Sequence, residues 1–139
     1  MSGNSNSMAA VKRWLPLAVV AGALVAYANT FSCPFLFDDN IVIVQNMKVF
    51  HLWPPWEAVL GPTRFWADIS FALNHAIGGF NVADFHATNI VIHLLAGLFL
   101  FGAVRHTLRL PRYADRFAGA APWLAAAVAT IWTVHPLQT

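Results

Sequence analysis

FHATNIVIHLLAGLFLFGAV, residues 85–104, runs for twenty residues without an Asp, Glu, Lys or Arg. At about 1.5 Å rise per residue a helix of this length reaches roughly 30 Å, the thickness of a bilayer's hydrocarbon core. Two further runs, 14–31 and 117–134, are equally free of charge and would each cover roughly 27 Å. Of the 139 residues 58% are hydrophobic and 10% charged, with mean hydropathy +0.58, too apolar for an ordinary soluble domain. The chain reads as an all-α membrane protein with three transmembrane helices, at about 14–31, 85–104 and 117–134. A long structured outer loop (32–84) and a short cytoplasmic loop (105–116) join them.

Basic residues set this orientation, because Lys and Arg near helix ends stay on the cytoplasmic side. Lys12 and Arg13 precede the first run, and Arg105, Arg109, Arg112 and Arg116 fill the connection between the second and third. The long connection holds only Lys48 and Arg64, yet five of the six acids: Asp38, Asp39, Glu57, Asp68 and Asp84. The net charge of +2 is this topology signal, and no feature points to nucleic acid as a partner; the partner implied is the lipid bilayer. Residues 1–13 form a cytoplasmic tail, expected to be disordered, since their first ten are small and polar and bury too little apolar surface to order themselves. Lys12-Arg13, the apolar core and the triplet Ala26-Tyr27-Ala28 also fit a cleavable secretory signal; continuation of the run to Phe31 favours an uncleaved helix. The first helix is expected to open at Trp14-Leu15-Pro16, with proline in its first turn. Cys33 is the sole cysteine, so neither an internal disulfide nor a thiolate metal site can form.

The outer connection is too long and too aromatic for a passive linker. Trp53-Pro54-Pro55-Trp56 interrupts any regular element and offers two indoles to a headgroup layer. Ile41-Val42-Ile43-Val44 is a β-branched run whose type periodicity does not settle. Over 64–77 the pattern turns helical, with Phe65, Ile69, Leu73 and Ala76 on one face and Arg64, Asp68 and His75 on the other, until Gly78-Gly79 ends it. Such an amphipathic helix lies along the membrane surface with its polar edge toward the mouth of the bundle.

Three constellations could carry chemistry. Asp38 and Asp39 stand side by side in an aromatic setting, just after Phe35 and Phe37, where desolvation and mutual repulsion oppose ionising both. A carboxylate serving as general base, or the pair holding a cation, would justify them; capping of the next turn is the structural alternative. His86, Asn89 and His93, at i, i+3 and i+7, share one face of the second membrane helix. Polar groups at that depth are site candidates and equally interhelical glue; His86 is assigned to a site, Asn89 and His93 to packing. His135-Pro136 ends the third helix on the same membrane face as the acidic pair.

Taken in order, several motifs resemble the amino-terminal part of the GT-C class of membrane glycosyltransferases, in particular the O-mannosyltransferase-like proteins that join transmembrane helices to tetratricopeptide repeats. They are Tyr27-x-Asn29, then Phe35-Leu36-Phe37-Asp38-Asp39, then Asn46, then Arg64 with Ser70-Phe71-x-Leu73-Asn74 and Gly78-Gly79. His86-x-x-Asn89-x-x-x-His93 and Trp132-Thr133-Val134-His135-Pro136-Leu137-Gln138-Thr139 complete the series. The chain departs at Phe65, where family members tend to have proline after the arginine.

The resemblance implies that 14–139 is the amino-terminal portion of a GT-C-like transmembrane domain, a fragment expected to be inactive alone. It implies transfer of a sugar from a polyprenyl- or dolichyl-phosphate carrier to a hydroxyl of a protein or glycan acceptor on the periplasmic or lumenal side. Asp38 and Asp39 would be catalytic, Asp38 the preferred base, with Arg64, His86 and His135 binding substrate or its phosphate. The class admits a divalent cation, for which no ligand cluster is seen, and implies no other cofactor. The multi-pass chain would sit in the bacterial inner membrane, a preference resting on the Ala-rich helices, or in the endoplasmic reticulum membrane if eukaryotic. Two rival readings remain: a non-catalytic three-helix membrane subunit or assembly factor, and a b-type haem protein ligated through His86 or His93.

Overall fold

The computed structural model describes residues 3–35, 39–50 and 65–135. The helical expectation holds: these residues form α1 (Gly3–Ala26), α2 (Phe65–Gly78), α3 (Val82–Thr107), α4 (Pro111–Phe117) and α5 (Ala121–Thr133), with no strand among the described residues. Short turns of 3-10 helix at Ala28–Ser32 and Met47–Phe50 and one π-helical turn at Asn40–Val44 fill part of the connection between α1 and α2. The β-branched run 41–44 is therefore helical. The Trp53-Pro54-Pro55-Trp56 cluster lies outside the described residues.

Two helical stretches, Ala10–Ser32 and Val82–Thr107, are long and apolar enough to cross a membrane. Only 22% of the most apolar 18 residues of the first and 17% of those of the second are buried, whereas the core helix of a soluble protein would be mostly buried. Val25 at 79% exposure and Phe99 at 80% typify the apolar surface that a lipid solvent would cover.

The other boundaries differ from the sequence reading in two places. α1 starts at Gly3, well before Trp14, because elongating a formed helix costs far less than nucleating one. Pro16 consequently lies inside α1 rather than in its first turn, a position transmembrane helices tolerate. The run 117–134 is divided: Phe117 closes α4, a turn at 118–120 contains Gly119, and α5 begins at Ala121 with Pro122 in its first turn. Proline fits there because the first-turn N–H has no intrahelical partner. The 13 residues of α5 reach only about 20 Å, short of a full hydrocarbon core.

The chain divides into two compact units, Met1–Ala28 with Ile90–Thr139, and Asn29–Asn89. In the first, α1 contacts α5 and the core joins Leu15 and Val19 of α1, Phe101 of α3, and Ala125 and Ala129 of α5. Leu15/Val19 and Ala125/Ala129 are i, i+4 pairs, so each helix presents one stripe, and the alanines allow close approach. At the α3–α5 contact Gly97 leaves no room for a side chain: a Cβ there would collide with the Thr133 methyl. Polar side chains fasten the same helices. His93 stacks on Trp132 (centroids 4.9 Å apart), meets the Tyr27 ring edge-on at 5.3 Å, and donates from Nε2 to the Thr133 carbonyl at 2.8 Å. The Tyr27 hydroxyl donates to the His135 carbonyl at 3.1 Å. His93 acts as packing glue, as its place on the helix predicts.

In the second unit α2 runs to Gly78 and stops where Gly79 takes φ +64°, the left-handed geometry glycine adopts without steric cost. Asn81 then starts α3, its Oδ1 accepting from the Ala83 N–H at 3.2 Å, and Asp84 sits favourably in the first turn. α2 carries its polar residues inward, with Asp68 and Asn74 buried while Trp66 (80%), Leu73 and Ile77 (77%) are exposed.

Candidate functional site

The candidate site lies in the unit Asn29–Asn89 and is built on aromatic packing. Phe85, 2% exposed, meets the Phe35 ring edge-on at 5.5 Å and the Phe71 ring at 6.1 Å. These contacts tie the segment before the acidic pair to α2 and to the start of α3. His75 is flanked in the same way by Phe50 and Phe80, at 5.2 and 4.6 Å.

Around this aromatic layer each buried polar group has a partner. Asp68 accepts a hydrogen bond from Asn46 Nδ2 at 3.2 Å, and Asn74 Oδ1 accepts from the Thr88 hydroxyl at 2.7 Å. The first bond joins α2 to the segment following the π-helical turn, and the second joins α2 to α3. Buried polar groups held this way fix geometry, since an orphaned one costs about 1–3 kcal/mol. Sequence reasoning placed Asp68 only on the polar edge of an amphipathic helix and did not pair it with Asn46. A carboxylate and an amide six residues apart in a largely apolar helix were the available signal.

Asp39 stands at the head of the turn Asn40–Val44 with φ −58° and ψ −37°, and its side chain makes no capping hydrogen bond to that turn. A capping Asp would hold extended backbone and accept from an N–H one turn on. The capping explanation for this carboxylate therefore fails, although Asp39 is engaged by other contacts. The turn it heads leads through Gln45 to Asn46, so the Asn46–Asp68 bond anchors Asp39's segment on α2. Asp38 and Arg64 lie outside the described residues.

His86 Nε2 is 3.0 Å from the Cys33 carbonyl oxygen. A carbonyl can only accept, so Nε2 carries the hydrogen and Nδ1 is left to accept, or to donate once the ring is protonated. The bond pins the chain just before Phe35 to α3. Asn89 is exposed. His135 belongs to the other unit, its carbonyl bonded to Tyr27. Asp39 and His86 thus share a unit, while His135 does not. Among the described residues no group of three His, Cys, Asp or Glu side chains could hold a metal ion. His86 and His93 both spend Nε2 on backbone carbonyls, which weighs against the haem reading.

No protein-family model and no solved structure matches the chain. Several curated proteins do. The chain is 27% identical to human protein O-mannosyl-transferase TMTC4 over 91% of its own length and 19% of that protein's. Against Drosophila melanogaster protein O-mannosyl-transferase Tmtc1 it is 30% identical, over 96% of the chain and 16% of the relative. Against mouse protein O-mannosyl-transferase TMTC2 the identity is 28%, over 84% of the chain and 14% of the relative. The chain spans less than a fifth of the length of these relatives. Similarity over most of its length relates the chain to the TMTC protein O-mannosyl-transferases.

Proposed function

We propose that the chain forms part of a GT-C-type membrane glycosyltransferase that moves mannose from a polyprenyl- or dolichyl-phosphate carrier to an acceptor hydroxyl on the periplasmic or lumenal side. The observation that carries this reading is an acidic pair whose second member, Asp39, does not cap the turn it heads, in a chain similar to O-mannosyl-transferases over most of its length. One carboxylate, Asp38 by preference, takes the proton of the acceptor hydroxyl as its oxygen bonds to the sugar's anomeric carbon. The bond from that carbon to the carrier phosphate breaks, and the lipid phosphate leaves with the electron pair. Arg64 and His86 stabilise the charge growing on that phosphate. The chain crosses the membrane three times, α5 compensating for its length by local thinning of the bilayer. The exposed Trp66, Leu73 and Ile77 face of α2 lies on the membrane surface while Asp68 and Asn74 face inward.

A transfer assay on the purified full-length protein tests the donor class. Mannose should move to a hydroxyl acceptor from a polyprenyl-phosphate donor and not from a nucleotide-activated one. Transfer from the nucleotide sugar alone overturns the reading. Failure with both donors returns the chain to the non-catalytic subunit reading, which the purely structural bonds of His93 favour.

The sidedness has its own test in Cys33, an exposed free thiol. A membrane-impermeant maleimide added from the outer face should label it in intact membranes. Labelling that waits until the membrane is opened would reverse the orientation assigned to α1.

A further inference from the structure

Between the middle of α1, the end of α3 and the approach to α5, all in the unit Met1–Ala28 with Ile90–Thr139, a cavity of about 360 Å³ is lined by Lys12, Arg13 and Pro16 of α1, Arg105 of α3, Arg109 of the following turn, and Ala118 and Pro122. Its volume falls at the small end of ligand-binding clefts, roughly 300–1,000 Å³. The transfer reading uses none of these residues. Four cations line the cavity and no acid does; Asp115, on α4, is not among the lining residues.

The polarity is graded. Pro122 is buried and Pro16 and Ala118 are half-buried, whereas Arg13, Arg105 and Arg109 are exposed, giving an apolar floor under a cationic rim. The cavity also sits where the apolar helix surfaces end. Trp14 and Leu17, both exposed, follow Arg13 on α1, and the uncharged stretch of α3 stops at Val104, directly before Arg105. That is the level of a lipid headgroup, with acyl chains running along the exposed apolar faces. Guanidinium groups bind phosphate oxygens in pairs, and basic pockets between transmembrane helices are suited to anionic headgroups.

We propose that this cavity binds the phosphate headgroup of an anionic glycerophospholipid. The assignment is independent of the transfer chemistry, which concerns the other unit.

Native mass spectrometry of the purified full chain in detergent, titrated with phosphatidylglycerol or phosphatidylcholine, tests it. The wild type should retain phosphatidylglycerol and release phosphatidylcholine. Removing two rim charges in R105Q/R109Q should weaken retention about twenty-five-fold, at about five-fold per charge. R112Q/R116Q removes the same charge from α4 without touching the cavity and should bind like the wild type. Equal loss in both double variants means a diffuse basic surface and overturns the proposal. So does displacement of the lipid by a large excess of inorganic phosphate, which would mark a free-anion site. Should R105Q/R109Q lose helix content, the single variant Lys12→Gln decides: about a five-fold loss is expected, and unchanged retention refutes the site.

Discussion

Asp38→Asn in the full-length protein should lower mannose transfer by about two to four orders of magnitude, the usual cost of removing a general base, with expression and membrane insertion unchanged. Asn keeps the size and much of the hydrogen bonding of Asp and removes only the basic oxygen. Asp39→Asn should also lose transfer, through misplaced acceptor rather than a lost base. A lost cap costs about 1 kcal/mol, too little to account for so large a defect. Transfer from a polyprenyl-phosphate sugar by purified variants is the measurement. Wild-type turnover in both would leave the pair without a catalytic role.

Phe85→Ala should destabilise the unit Asn29–Asn89 by about 3–5 kcal/mol, the range for truncating a buried Phe. The ring is 2% exposed and meets Phe35 and Phe71, so its removal opens a cavity where the acidic segment, α2 and α3 are tied together. Thermal unfolding in detergent measures the loss, and the rate at which Cys33 reacts with a thiol reagent reports the same region, since His86 holds the Cys33 carbonyl. Phe85→Leu, which refills most of the volume, should recover much of the stability. An Ala variant that melts with the wild type would show that the aromatic layer does not support the site.

What could be read from the sequence was what local pattern dictates. The uncharged run 85–104 is contained in α3, and the end of α2 at Gly78-Gly79 is visible because only glycine holds φ +64° there without strain. His93 could be assigned to packing from its place on one helix face. The division of 117–134 was less legible, since Gly119 and Pro122 are tolerated inside apolar segments and mark a break only when the chain turns between them. The inward turn of the polar edge of α2 agrees with the sequence reading, in which a lipid solvent takes the apolar face. Least legible were the contacts that edge makes. The partners of Asp68 and Asn74, Asn46 and Thr88, lie 22 and 14 residues away, beyond any periodic signal. The pairing of His86 with the Cys33 carbonyl spans 53 residues and involves a backbone group, which leaves no trace in residue identity.

The fit of Gly97 against Thr133 makes two distant positions share one volume. Thr133 is fully buried, with its hydroxyl returned to the Ala129 carbonyl of its own helix at 2.9 Å, so its methyl has nowhere to turn. A lineage that acquires alanine at 97 must first shrink 133 to serine or alanine, and the reverse order passes through a clash. The two sites should therefore drift as a coupled pair, with a fixed order of substitution, even though neither touches a substrate.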